Sequence, residues 1–148
     1  MITRQATQND ISQISALEND CFSDAWSGKE LENILSNPLY DLYVLEVSGE
    51  VVGYFASMTV DDCELLRICV KESMRGRGYA TALLEKLIDV SARRDAQRIL
   101  LEVRHTNIEA IRLYEKFGFA EFGVRKNYYG GNVDARLFAY VKGEAELL

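Results

Sequence analysis

Cys69-Val70-Lys71-Glu72-Ser73-Met74-Arg75-Gly76-Arg77-Gly78-Tyr79-Ala80-Thr81-Ala82-Leu83-Leu84 is the stretch that decides how this chain folds. An apolar strand ending at Val70 passes through the glycine-bearing turn Arg75 to Ala80 into a helical pattern carried by Ala82, Leu83, Leu84, Leu87 and Ile88. That layout makes an anion site. A turn of this kind lets successive backbone N–H groups converge, and the first turn of a helix adds about half a positive charge from aligned peptide dipoles. Gly76 and Gly78 can take positive φ and let a ligand approach the backbone with no Cβ in the way. A diphosphate fits such a cradle.

Two common phosphate sites are excluded. The pattern of the P-loop, ending in Gly-Lys-Ser/Thr, is absent, which argues against a nucleoside triphosphatase. The dinucleotide fingerprint needs a third glycine where Thr81 stands, and it belongs in the first strand-to-helix turn of a domain, not halfway along the chain. On its own the turn is equally an ordinary helix start without a ligand, so its surroundings have to decide.

Those surroundings are those of one compact domain. At 148 residues, with 48% hydrophobic and 27% charged positions, the chain fits a single domain over residues 1–148 with a sizeable core. A net charge of −6 argues against nucleic-acid binding, which needs a broad Lys/Arg surface, and suits a basic macromolecular partner or simply solubility. Cys21, Cys63 and Cys69 are odd in number and lack metal-ligand spacing, so free, reduced thiols in a cytosolic protein are expected, with no metal. Met1 to Asp10 lacks the apolar stretch of a signal peptide, and no run approaches the ~20 apolar residues of a membrane helix. A soluble, cytoplasmic protein is expected.

Periodicity places the elements. Ile2 to Ala6 reads as a strand, and Asn9 or Asp10 caps a helix bearing Ile11, Ile14 and Leu17 on one face. Ser27-Gly28-Lys29-Glu30 is a capping box opening a helix with Leu31, Ile34 and Leu35 that stops before Pro38. Tyr40 to Val47 and Val51 to Val60 form a hairpin about Ser48-Gly49-Glu50, and Glu64 to Val70 is the strand feeding the glycine turn. The following helix runs to about Arg93. Gln97 to Arg104 is a strand, parallel to the one ending at Val70 because a crossover helix separates them. Asn107 to Phe117 is a helix closed by Gly118, and Phe119 to Tyr129 with Val133 to Val141 make a last hairpin about Gly130-Gly131-Asn132. Gly143 to Leu148 reads as a loose tail. The order is β-α-α-β-β-β-α-β-α-β-β, an α/β fold with one mixed sheet and helices on both faces.

With Arg75-x-x-Gly78-x-Ala80, Leu101-Glu102-Val103-Arg104 and Asn107-x-x-Ala110-x-x-Leu113-Tyr114-Glu115-Lys116-Phe117-Gly118-Phe119, the chain resembles the GCN5-related N-acetyltransferases (GNAT) over nearly its whole length. Within them it is similar to the bacterial ribosomal-protein N-terminal alanine acetyltransferases, through Phe22-x-x-x-Trp26-Ser27, Glu102-Val103-Arg104-x-x-Asn107 and Arg125-Lys126-Asn127-Tyr128-Tyr129. The resemblance implies acetyl-coenzyme A as donor, its diphosphate on the amides of Arg75, Gly76, Arg77, Gly78, Tyr79, Ala80 and Thr81. It places the pantetheine arm along the backbone of Ile68, Cys69 and Val70, with Asn107 near that arm. It also implies a central parallel strand pair that splays apart, so that backbone groups otherwise left without partners serve the ligand. Ala80 stands where glycine is common in the family, and Arg75 where glutamine is frequent.

By the same resemblance Glu102 is the general base and Tyr114 the general acid that protonates the departing thiolate. A free carboxylate is a weak base at neutral pH, so partial burial is expected to strengthen Glu102, while alternation puts Arg104 on the same side of the strand. A surface pair Glu102–Arg104 is the plain alternative, as is a core tyrosine beside Ile111 and Leu113 for Tyr114. Cys69 invites a covalent acetyl-enzyme, but a cysteine in an apolar strand without a His/Asp set reads as core. His105 reads as a loop residue, and Asp61, Asp62 and Glu64 as a solvated turn. Trp26, Tyr128 and Tyr129 either line a peptide channel or pack. The expected activity is direct attack of an amine on the thioester, the acceptor being a protein N-terminus, by resemblance the alanine of a basic small-subunit ribosomal protein. Acetylation of lysine side chains or small amines, or a non-catalytic coenzyme A-binding regulatory domain, stand as alternatives. A monomer or weak dimer is expected.

Overall fold

The computed structural model describes residues 1–143 of the 148-residue chain. The tail expected over Gly143 to Leu148 lies outside the described residues from Glu144 on. The elements are β1 (Ile2–Gln5), α1 (Ile11–Cys21), α2 (Gly28–Ser36), β2 (Tyr40–Val47), β3 (Glu50–Thr59), β4 (Cys63–Val70), α3 (Tyr79–Arg93), β5 (Arg98–Arg104), α4 (Ile108–Lys116), β6 (Ala120–Arg125) and β7 (Ala135–Val141). Their order is the expected one. The seven strands form one sheet in the order β1-β2-β3-β4-β5-β7-β6, antiparallel throughout except for the parallel pair β4–β5.

The helices sit where the periodicity of their sequences dictates. The Ser27 hydroxyl accepts from Glu30 N–H and the Glu30 carboxylate from Ser27 N–H, closing the capping box of α2. Ile11, Ile14 and Leu17 of α1 and Leu31 of α2 bury against Val44, Val51, Tyr54 and Ala56 on one side of the sheet. Leu83, Leu84 and Leu87 of α3 bury against Leu45, Val52, Phe55 and Ile99 on the other, where Ile111 and Tyr114 of α4 join the same cluster. Gly118, at φ 97, ends α4 as expected.

Two β-bulges shape the centre of the sheet. Val52 is the extra residue in β3, between the pairs Leu45↔Gly53 and Glu46↔Val51. Leu66 is the extra residue in β4, between Ser57↔Leu65 and Ala56↔Arg67. Side chains alternate along a strand, so one inserted residue exchanges the two faces from there on. Cys63 and Leu65 accordingly lie in the α3 cluster, whereas Cys69 lies in the α1 cluster. A bulge also bends its strand. The parallel pairing of β4 with β5 ends at once, after Cys63↔Ile99 and Glu64↔Leu100, while β4 continues against β3 to Val70 and β5 against β7 to Arg104. The central pair is splayed.

Three expectations are corrected. The cysteines are not all free: Cys21 and Cys69 are joined as a disulfide, and only Cys63, buried, remains a thiol. The physical reason is the bulge at Leu66, which turns Cys69 toward the last residue of α1. Asp10 precedes α1 without capping it, since its carboxylate accepts from Thr7 N–H at 2.8 Å and from Arg4 Nη1 at 2.8 Å. The last hairpin is shorter than expected, with residues 126–134 forming an ordered loop. There Asp134 Oδ1 accepts from Asn127 N–H and Asn127 Oδ1 from Asn132 N–H, both at 2.8 Å, and positive φ at Asn127 and Asn132 breaks the ladder.

The β3–β4 contact is tight enough to test. A Cβ added to Gly53 would stand 2.8 Å from the Cys69 carbonyl oxygen and 3.3 Å from Leu83 Cδ1. Gly53→Ala is expected to cost about 1–3 kcal/mol, read as a lower urea midpoint with an unchanged slope. Alkylation of the unfolded, unreduced protein is expected to label Cys63 alone, with Cys21 and Cys69 labelled only after reduction, as intact mass will show.

Candidate active site

Where β4 and β5 part, the molecule opens into a cleft of about 780 Å³. Ile68, Cys69 and Val70 form one wall, Glu102 and Arg104 the other, and the turn Arg75, Gly76, Gly78 with Tyr79, Ala80 and Thr81 of α3 closes one end. Asn107 and Tyr114 line it too. The sequence-derived positions thus meet in one cavity, except Arg77, which is exposed and off its wall.

The turn has the makings of an anion cradle. Gly76 and Gly78 stand at φ 78 and φ 82, and the N–H groups of residues 76–78 donate to no backbone carbonyl. The first amides of α3 have no partner within the helix, so a run of unpaired donors points outward under the positive end of the helix dipole. Arg75 braces this turn: its Nε donates to the Val70 carbonyl at 3.0 Å. Asn107 caps α4, its Oδ1 accepting from Ala110 N–H at 3.3 Å.

Glu102 and Tyr114 face the same space with opposite surroundings. Glu102 faces the cleft, because Leu101 and Val103 take the inward positions of β5, and its side chain is partly covered, 32% exposed. Arg104 shares its side of the strand but stacks on Tyr129, 4.1 Å from the ring centroid. The partner of Glu102 is instead Arg125 on β6, at 3.4 Å. Such a surface pair is worth about 0–1 kcal/mol. Tyr114 is buried, packed on Phe119 with ring centroids 5.6 Å apart. Burial, and then Tyr129, push its hydroxyl above the ordinary tyrosine range, so it holds its proton at neutral pH.

The remaining candidates separate cleanly. Cys69 is paired with Cys21, the last residue of α1. His105 Nδ1 accepts from Asp134 N–H at 2.9 Å and so anchors the 126–134 loop. Asp62 pairs with Arg98 at 2.7 Å, and Asp61 and Glu64 also stay off the cleft wall. Tyr129 lines the cleft, whereas Tyr128 packs edge-on against it from outside.

Sequence reading missed Glu18 and Arg67. Glu18 is fully buried on α1, accepting from Trp26 N–H at 2.7 Å and from the Tyr54 hydroxyl. Burial pushes its carboxyl up. Arg67 on β4 lies over the rings of Phe22 and Trp26 at 4.3 and 4.5 Å, with Nε 3.5 Å from Glu18 Oε2. The available signal was a carboxylate at an inward helical position, four residues after Ile14. Arg67 had no signal, since its facing depends on the bulge.

A splayed parallel pair with a glycine turn of free amides at its mouth, and a carboxylate and a phenol on its walls, is an arrangement suited to acyl transfer from a diphosphate-bearing donor. Residues 11–119 match the model of the acetyltransferase (GNAT) family, and the chain belongs to that family. It is an N-acetyltransferase. It is 33% identical over 147 residues to the putative [ribosomal protein bS18]-alanine N-acetyltransferase of Bacillus subtilis, covering 95% of this chain and 97% of that protein. To the [ribosomal protein bS18]-alanine N-acetyltransferase of Haemophilus influenzae it is 32% identical over 143 residues, covering 93% and 97%. The crystal structure of the ribosomal-protein-S18-alanine N-acetyltransferase from Escherichia coli superposes with a TM-score of 0.86 at 30% identity, covering 95% of this chain and 92% of that one. Among the described residues no group of three metal-ligating side chains converges, and no helix is long and apolar enough to cross a membrane.

The turn yields a direct test. Gly78 has open space where a Cβ would go, so a side chain there is opposed by its φ of 82 alone. Gly78→Ala is expected to cost about 1–2 kcal/mol and to weaken coenzyme A binding about tenfold, measured by calorimetry.

Proposed function

We propose that this chain, as a single domain, transfers the acetyl group of acetyl-coenzyme A to the N-terminal amine of a protein in the cytoplasm, the N-terminal alanine of a small-subunit ribosomal protein. The observation that carries this reading is the convergence of Glu102, Tyr114 and the unpaired amides of the 76–81 turn on one cleft. The names of the bacterial relatives support the acceptor, and a net charge of −6 suits a basic protein. In that compartment the Cys21–Cys69 bond forms only under oxidation.

Acetyl-coenzyme A is a co-substrate. Its diphosphate lies on the turn amides, its arm runs along the backbone of Ile68, Cys69 and Val70 past Asn107, and Arg75 supports the turn from behind. Arg77 stands at the rim, where its charge meets phosphate from the solvent side. The acceptor nitrogen attacks the thioester carbon, Glu102 takes the nitrogen's proton, the carbon–sulfur bond breaks, and the thiolate leaves with the proton of Tyr114. An α-amino group with pKa about 8 is about one-tenth neutral at pH 7, a cost of about 1.4 kcal/mol, against about 4.6 kcal/mol for a lysine near 10.4. The first asks much less of the base than the second. Tyr114 is a weak acid, and burial makes it weaker. The departing thiolate is raised by the same dry surroundings, so the proton still moves as the bond breaks.

Incubation with labelled acetyl-coenzyme A and a mixture of peptides is expected to place the label on peptide amino termini, located by mass spectrometry. Label confined to lysine side chains or polyamines overturns the N-terminal acceptor. Glu102→Gln and Tyr114→Phe are each expected to lower kcat about 10²–10⁴-fold while calorimetry shows coenzyme A affinity unchanged. Wild-type turnover in either variant removes that residue from the chemistry.

A further inference from the structure

Resting on that reading, we propose that Arg67 is a positioning residue for the acceptor: it clamps the loop between α1 and α2 as the wall against which the acceptor docks. Three attachments of this loop, at Phe22, Asp24 and Trp26, converge on it. The guanidinium is sandwiched between Phe22 and Trp26, at 4.3 and 4.5 Å from the ring centroids. Nη2 donates to the Asp24 carbonyl at 2.9 Å. Nε, with no hydrogen-bond partner of its own, faces the fully buried Glu18, which holds Trp26 N–H from the other side. One cation thus fixes the beginning, middle and end of the segment from Phe22 to Trp26.

That segment supplies Phe22, Ser23 and Asp24 to the cleft wall, and the partners of Arg67 are Phe22, Asp24, Trp26 and Glu18 rather than the 76–81 turn. Its anchoring is therefore assigned to the acceptor half of the cleft and not to the diphosphate turn. The role needs arginine. A planar guanidinium stacks on two rings while its edge still serves a carbonyl and a carboxylate, whereas the lysine ammonium is a compact point charge that meets one partner at a time. Removing the cation alone would leave Glu18 buried without a counter-charge, so an informative variant neutralises both.

The test compares wild type, Arg67→Lys, and the double variant Arg67→Met with Glu18→Gln, in which glutamine keeps the acceptor for Trp26 N–H. Kinetics are run with whichever amine the wild type acetylates, so failure of the N-terminal reading shows as absent peptide label and stays separate from failure of the clamp. Expected are an acceptor KM raised about tenfold to a hundredfold in both variants, since small misplacements of a bound reactant carry penalties of that size. The acetyl-coenzyme A dissociation constant stays within about twofold of wild type by calorimetry, the resolution set by a fraction of a kcal/mol. Emission of Trp26, the single tryptophan of the chain, shifts as the stack is lost. Full recovery of acceptor KM by lysine overturns the proposal. So does a wild-type KM in the double variant, or a parallel loss of coenzyme A affinity, which would mark general damage to β4.

Discussion

The divergence of β4 from β5 is the constraint on which the rest of this molecule depends. Two adjacent parallel strands ordinarily exhaust each other's backbone groups along their length. Here the ladder is cut after two residue pairs, and the bulge at Leu66 sits immediately beyond the cut. Backbone donors and acceptors of β4 that face the gap then require a partner from outside the chain, because buried polar groups left alone are costly. The cleft is the space created by that unmet demand. The glycine turn stands at its mouth because α3 must begin where β4 ends.

One inserted residue has two consequences of different kinds. Bending β4 makes the cleft, and exchanging its faces delivers Arg67 and Cys69 to α1 instead of α3. The contact of the α1–α2 loop with β4 is built from that exchange, since Phe22, Trp26 and Glu18 all meet β4 through Arg67. The opposite wall of the cleft is built differently. Glu102 keeps the plain alternation of β5 and remains in contact with water, while Tyr114 is set in the core by the helical period of α4. Glu102 is left accessible from the cleft, and Tyr114 is kept dry and protonated.

How much of this was legible in the sequence follows from the same distinction. Periodic and capping signals are local, and they located every helix and strand: Ser27 with Glu30, Gly78 at positive φ and Gly118 each act where they stand. The candidate cavity was legible for the same reason, as ten of the eleven positions expected to meet the donor, and both expected to do the chemistry, line it. Bulges carry no such mark. Nothing in Glu64-Leu65-Leu66-Arg67 says which leucine is the extra one, so the disulfide and the Arg67 stack stayed hidden behind a one-residue change of phase. The partner of Glu102 was misplaced because its neighbour in sequence, Arg104, lost the competition to an aromatic face, while Arg125 reached it from β6 across the intervening β7.

Gly53 shows how a missing atom can set a height. It lies on β3 beneath both the Cys69 carbonyl and the end of the Leu83 side chain, a bare spot in the carpet of side chains that covers the sheet. Leu83 sinks into that spot, and Leu83 belongs to the first turn and a half of α3. The vertical seat of the helix is therefore decided by a hydrogen on the strand below it. Because the glycine turn is continuous with the start of α3, the elevation of its amides above β4 is inherited from that same hydrogen.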